Sequence, residues 1–321
     1  VKTVQPGTEG AETLRGPRQP EAGWKWKEEK VETFPNRATG SGTLIIIGGH
    51  EEKRQESEIL KAVAERVGKG RLVVATVASS EKNGELAQEY DGVFRKLGVK
   101  DIAILDVRDR AEALSEEAEA VLDGATTVFF TGGDQLRITS QLGDSRAYRR
   151  IEEIYHEGGT IAGTSAGASV MSDTMLVEGD GEASYKIGSA LRMAPGLGFL
   201  RRVIVDQHFA ERGRLPRLLG AVAQNPAYLG VGIDENSAIL VHGEDWFEVL
   251  GEGAVYVLDA SQVTFSNLSE ADPDETLSIF DVRMHVLAAG ECFDLRERRP
   301  EIKSPEEEKA KKPARKKKAE K

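Results

Sequence analysis

Cysteine is almost missing from this chain: Cys292 is the only one in 321 residues. No internal disulfide can close and no cysteine-based metal site can assemble, which fits a reducing compartment. No run of about 18 or more apolar residues occurs, so no membrane-spanning helix is expected. Positive charge is in deficit, with 43 Lys and Arg against 54 Asp and Glu and a net charge of −11. A general nucleic-acid binder is therefore disfavoured, because a phosphate partner selects a basic surface. No positively charged start followed by an apolar core is present, so no signal peptide remains in view in a chain that begins with Val1. Cytoplasmic residence is the expectation, with action outside the cell as the alternative.

What is present is a soluble α/β pattern between two polar ends. Residues 1–40 are rich in Gly, Pro, Glu, Lys and Arg and lack periodicity, which reads as an irregular arm. Trp24 and Trp26 interrupt it and are candidates to pin the arm to the domain or a partner. Residues 299–321 form a charged tail that reads as solvated chain. Residues 41–298 read as one catalytic domain.

Within that domain, strand and helix signals alternate. "TLIIIGG" (43–49), "RLVVATV" (71–77), "IAILDV" (102–107) and "TTVFFTGGDQ" (126–135) are short apolar runs of the buried-strand kind. "QESEILKAVAERVGKG" carries helical spacing that puts Ile59, Leu60, Val63 and Val67 on one side, and it closes on glycine. "ELAQEYDGVFRKLGV" and "EALSEEAEAVLDG" predict the next two helices. Such alternation with short links predicts a doubly wound, mostly parallel sheet covered on both faces. Ligands bind such sheets at the carboxyl ends of the strands. Gly48-Gly49, Gly132-Gly133 and the turn around Ser165 all fall there. After residue 200 the pattern shifts to "RRVIVDQHF", a helix starting near Pro216, and short alternating runs that predict antiparallel strands at one edge of the same sheet.

Ser165 lies in Gly163-Thr164-Ser165-Ala166-Gly167, a G-x-S-x-G turn between a strand and a helix. A serine alcohol needs a neighbouring base to become a nucleophile. The Ala166 N–H, with Gly132 or Gly133, is placed to meet a developing oxyanion. Of five histidines, His208 follows a strand and should emerge where the glycine turns converge. His156 sits at a helix end, His242 in a polar turn, His285 in a strand, and His50 in an exposed loop. The orienting acid is sought between Ser165 and His208, among Asp173, Glu178, Asp180, Glu182 and Asp206; Asp206 is disfavoured because residues i and i+2 of a strand lack that reach. Arg212, Arg214 and Arg217 follow His208 and suit a substrate carboxylate. Asp134 and Gln135, just past a strand end, suit either the site or a helix cap.

The blocks "GTLIIIGGHEEK", "FTGGDQLRITSQL", "GTSAGASVMSDTMLVEGD", "VDQHFAERGRLPRLL" and "GVGIDENSAILV" together resemble the serine peptidase family that holds the cyanophycinases and the aspartyl dipeptidases. The resemblance implies a class I glutamine amidotransferase-like fold and a Ser–His–Glu triad. It implies hydrolysis of cyanophycin, a polyaspartate carrying arginine on each side chain, to β-aspartyl-arginine dipeptides. Carried over by motif, Ser165 is the nucleophile, His208 the base and Glu182 the acid, with Glu178 if the alignment shifts. Gln135, Asp206, Arg214 and Arg217 match substrate-binding positions. A homodimer that needs no metal or other cofactor is implied. The alternatives are an aspartyl dipeptidase or β-aspartyl peptidase, and an inactive ligand-binding relative.

Overall fold

The computed structural model describes residues 42–301, apart from 55–56, 81–83, 180–185, 187–190, 271 and 273. The expected arm with Trp24 and Trp26, nearly all of the tail, and Glu182 lie outside the described residues.

The first half of the chain alternates as expected. Strand β1 (Thr43–Ile47) is followed by α1 (Glu58–Val67), β2 (Arg71–Ala75), α2 (Glu85–Lys96) and β3 (Ile102–Leu105). The single helix expected next is two short ones, α3 (Arg110–Ala113) and α4 (Glu116–Val121). Asp109 and Ser115 each cap a helix N-terminus through their side chains, so the second cap divides the segment. Strand β4 (Ala125–Phe130), α5 (Gln135–Leu142), α6 (Arg146–His156), β5 (Thr160–Thr164) and the one-turn α7 (Ala166–Ser169) complete this half.

Helix α1 shows how the local sequence dictates the packing. Ser57 Oγ accepts from the Leu60 N–H, Gly68 closes the helix at φ 59°, and Ile59, Leu60, Val63 and Val67 are buried, the four that the spacing selects. Burying each such side chain is worth about 1.5–3 kcal/mol.

The second half runs β6 (Thr174–Glu178), β7 (Arg192–Pro195), β8 (Val203–Gln207), α8 (Leu215–Gln224), β9 (Leu229–Ile233), β10 (Ser237–His242), β11 (Trp246–Gly251), β12 (Val255–Asp259), β13 (Phe265–Ser266), β14 (Ile279–Phe280), β15 (Arg283–Leu287), β16 (Cys292–Asp294) and β17 (Arg299–Glu301). Pro216 falls in the first turn of α8, where its missing N–H is harmless.

The main sheet has the order β17-β16-β11-β10-β1-β5-β4-β2-β3. The five strands from β1 to β3 are parallel; β10, β11, β16 and β17 extend it antiparallel. The expected antiparallel edge is thus present, but it does not take all the late strands. Strands β8, β9, β12 and β15 form a separate four-stranded sheet, ordered β15-β12-β9-β8.

The alternation of β1 explains the layers. Leu44 and Ile46 face one core with Val205, Val231 and Val257 of the second sheet and with α5 and α6; Ile45 and Ile47 face another with α1 and α2. A third cluster, including Ile204, Leu218, Val222 and Leu258, seats α8 on the far side of the second sheet. Strands buried on both faces read as continuous apolar runs, which is why "TLIII" shows no alternation. Among the described residues no helix is long and apolar enough to cross a membrane.

Candidate active site

The carboxyl ends of β4, β5 and β1 are neighbours in the main sheet, so their glycine turns converge. Strand β5 passes into α7 with only Ser165 between them, at φ 53° and ψ −110°. This strained conformation is the one a nucleophile elbow requires. The flanking glycines permit it: a Cβ at Gly163 would lie 2.3 Å from the Gly167 carbonyl oxygen, and one at Gly167 would lie 2.4 Å from the Phe130 carbonyl oxygen.

His208 arrives from the second sheet. It follows β8, and its N–H donates to the Gly48 carbonyl at 2.8 Å, which ties the two strand ends together. Ser165 Oγ lies 3.0 Å from His208 Nε2. On the other side of the ring, Nδ1 lies 2.6 Å from Glu235 Oε1. The acid beside His208 among the described residues is Glu235; the expected Glu182 lies outside them. An imidazole offers one hydrogen at Nδ1, and the turn after β9 fills that direction. Glu178, the acid that a shifted alignment implies, pairs with Arg192 at 3.1 Å in an exposed ion pair.

Three successive residues build that turn. Asp234 Oδ1 accepts from the Ala210 N–H at 2.9 Å and its Oδ2 from the Ala254 N–H at 3.2 Å. Asn236 accepts from the Glu52 N–H at 3.0 Å through its side chain and donates its own N–H to the Gly49 carbonyl at 2.9 Å. Glu235, held between them, also meets His50 Nδ1 at 2.8 Å through Oε2. His50 is an exposed loop residue as expected, yet it belongs to the cluster. Gly49 is required beside it: at φ 105°, a Cβ there would stand 2.3 Å from His208 Cε1.

Burial is the main influence on His208 and lowers its pKa below the ordinary histidine value, helped by the charges of Arg212 and His50 and opposed by Glu235. The ring is thus neutral at neutral pH, as a base must be. For Glu235 burial alone would raise the pKa, but hydrogen bonds from His50 and His208 outweigh it and hold the carboxyl below its usual range. His50, His208 and Glu235 are also the one group among the described residues close enough to share a metal ion, with ligand atoms within 4.8 Å of one another.

A cavity of about 750 Å³ opens over Ser165. Its lining includes Gly132, Gly133 and Gln135 past β4, Gln207 at the end of β8 with His208 after it, and Arg212, Arg214 and Arg217. The Ala166 and Gly133 N–H groups have no protein acceptor among the described residues. Gln135 Nε2 donates to the Leu176 carbonyl at 3.1 Å, while Asp134 caps α5 through the Leu136 N–H. Asp206 is absent from the lining. It lies buried beneath, where Oδ2 accepts from Arg217 Nε at 2.7 Å and Oδ1 meets Arg217 Nη2 and Arg214 Nη1. It holds the two guanidiniums in place. Gln207 was not singled out from sequence, and its Oε1 is buried without a partner among the described residues. The other histidines stand apart: His242 stacks on Trp246, and His285 lies against Phe293.

Residues 44–249 match the profile of peptidase family S51. The chain belongs to peptidase family S51. It is a serine-type peptidase, hence a hydrolase. It is 37% identical to the cyanophycinase of Synechococcus elongatus over 257 residues, 79% of this chain and 80% of that one. It is similar to the cyanophycinase of Nostoc sp. at 36% identity, covering 79% and 86%, and to that of Geminocystis herdmanii at 33% identity over 261 residues, covering 80% and 95%. Among solved structures, a peptidase from an acI-B1 actinobacterium shares the fold of this peptidase with a TM-score of 0.59 and 21% identity, covering 79% of this chain and 97% of that one.

Proposed function

We propose that this peptidase degrades cyanophycin and that Ser165, His208 and Glu235 form its triad. The observation that carries the reading is the relay of two contacts, 3.0 Å from Ser165 Oγ to His208 Nε2 and 2.6 Å from Nδ1 to Glu235. The names borne by the curated relatives supply the substrate. The strand-to-helix serine turn at the end of a parallel sheet favours a class I glutamine amidotransferase-like classification of the fold.

In this mechanism Ser165 Oγ attacks a backbone carbonyl of the polyaspartate chain as His208 Nε2 takes its proton. Glu235 accepts the Nδ1 hydrogen throughout, fixing the tautomer and stabilising the imidazolium. The Ala166 and Gly133 N–H groups receive the oxyanion. His208 then protonates the leaving amine, and an acyl-enzyme remains on Ser165. Water, deprotonated by His208, releases the product and restores the serine. Arg212, Arg214 and Arg217 bind the carboxylates of the substrate end, with Asp206 fixing the latter two; Gln135 and Gln207 bind its amides. Capture of the chain end yields β-aspartyl-arginine dipeptides.

The test is incubation with purified cyanophycin and mass identification of the products. The parent is expected to release the dipeptide, and Ser165→Ala and His208→Ala to release it at least about 10³-fold more slowly. Dipeptide release by either variant at the parental rate would refute the mechanism.

A further inference from the structure

The cavity that holds the arginines also carries one carboxylate, Glu51, the only acidic residue among the described residues of its lining. It is 5% exposed. Oε1 accepts from the Tyr90 hydroxyl at 2.5 Å and Oε2 from the Thr164 hydroxyl at 2.5 Å. Both donors are neutral. The Glu51 carboxylate raises the Tyr90 pKa further, although burial is the larger cause. Among the described residues no Lys, Arg or His lies within ion-pair distance of Glu51. The nearby Lys53 is turned to Glu89 at 2.6 Å and lies over the Tyr90 ring.

A buried carboxylate met only by hydroxyls is an expensive arrangement, because desolvation is repaid in full only by a cation. Each carboxylate oxygen has a second lone-pair direction after taking one hydroxyl hydrogen. Both remaining directions together suit a planar guanidinium, which donates two parallel N–H bonds. Leu86 and Tyr90 line the same cavity and offer apolar surface for the methylenes of such a side chain. The hydroxyl of Thr164 ties the carboxylate to the residue preceding Ser165, so whatever binds there is held beside the reacting bond.

We propose that Glu51 is the specificity residue for a substrate arginine: it receives the guanidinium of the side chain attached to an aspartyl unit at the cleavage site. The inference rests on the cyanophycin reading, and divides the cavity into a cationic wall for carboxylates and an anionic point for the guanidinium. Tyr90 and Thr164 hold the carboxylate in register.

The test uses two synthetic tetramers of β-aspartyl units, one carrying arginine and one carrying citrulline, whose urea is neutral and of the same shape. The parent is expected to favour the arginine tetramer by about 10–100-fold in kcat/KM, the range of a charge-assisted pair. Glu51→Gln should lose most of that preference, its kcat/KM falling for arginine while staying within about 3-fold for citrulline. A purely structural Glu51 would lower both substrates equally, and that result overturns the proposal. So does a parent that fails to discriminate. A parent that cleaves neither tetramer nor cyanophycin overturns the functional reading as well. If Glu51→Gln does not fold, Glu51→Asp, which keeps the charge on a shorter arm, should depress the arginine substrate more than the citrulline one; an equal effect on both overturns the proposal.

Discussion

Replacing Glu235 by alanine isolates what the acid contributes. The substitution leaves His208 Nδ1 without its acceptor at 2.6 Å and His50 without its acceptor at 2.8 Å. It removes no residue of the cavity lining, since Glu235 is not part of it. Substrate binding should therefore change little, and the loss should appear in kcat and kcat/KM alike. Without the carboxylate, nothing selects the tautomer whose Nε2 accepts the serine proton, and nothing offsets the positive charge that forms on the ring. Removing the acid of comparable triads costs about 10³–10⁴ in kcat, or about 4–5.5 kcal/mol of barrier. The pH profile adds a sign. Glu235 raises the His208 pKa against the larger lowering by burial. Its removal should move the acid limb of the residual activity to lower pH, below the parental limb, which itself lies below the ordinary histidine value. Steady-state dipeptide release from cyanophycin between pH 4.5 and pH 8 (roughly the range that brackets a histidine titration) measures both. The reasoning fails if Glu235→Ala keeps activity within about 10-fold of the parent. It fails equally if KM rises while kcat holds, or if Glu182→Gln proves as damaging as Glu235→Ala.

Two further substitutions probe the frame of the site. Gly49→Ala places a Cβ 2.3 Å from His208 Cε1 and 2.5 Å from Nε2, so the ring must leave its contact with Ser165; kcat should fall by about 10²-fold or more while the circular dichroism spectrum is kept, and a parental kcat would contradict the geometry. Asp206→Asn removes the buried carboxylate that Arg217 and Arg214 share, and urea unfolding should show a loss of about 3–5 kcal/mol; a loss under about 1 kcal/mol would refute a stabilising role for this carboxylate.

The parallel half of the fold is legible because burial on both faces writes itself as unbroken apolar runs, and α1 because its four core residues follow the helical period. Ser165 and His208 are legible for a related reason: each follows a strand end, and the elbow needs glycines at fixed positions. Glu235 is not. The search for an acid stops at His208, whereas the chain returns to the site 27 residues later. The strand that delivers it, "LGVGI", carries glycine where an apolar residue would announce a strand. Gly232 is packed against the Phe209 ring and Gly230 against Leu218 and Val222, so a side chain at either would collide. Close packing thus erases the pattern at the very strand that leads to Glu235. Nor does any local pattern say that β8, β9, β12 and β15 leave the main sheet, because alternation fixes which face a strand buries and not which sheet it joins.

The division into two sheets makes the short loop after β1 decisive. Ser165 belongs to the main sheet, His208 and Glu235 to ends of the second. The seam between them is drawn together by the Gly48 carbonyl, which accepts from His208, and by the Gly49 carbonyl, which accepts from Asn236. The next two residues are His50, which meets the second oxygen of Glu235, and Glu51, which faces the cavity. Residues 48–51 therefore position His208, brace Glu235 and place Glu51 in the cavity lining. A shift anywhere in this loop reaches both the relay and the binding surface, so absolute rates of its variants mix the two. Only a comparison between substrates that differ in the guanidinium alone separates them, because misplacement of His208 slows both and loss of a charge partner slows one.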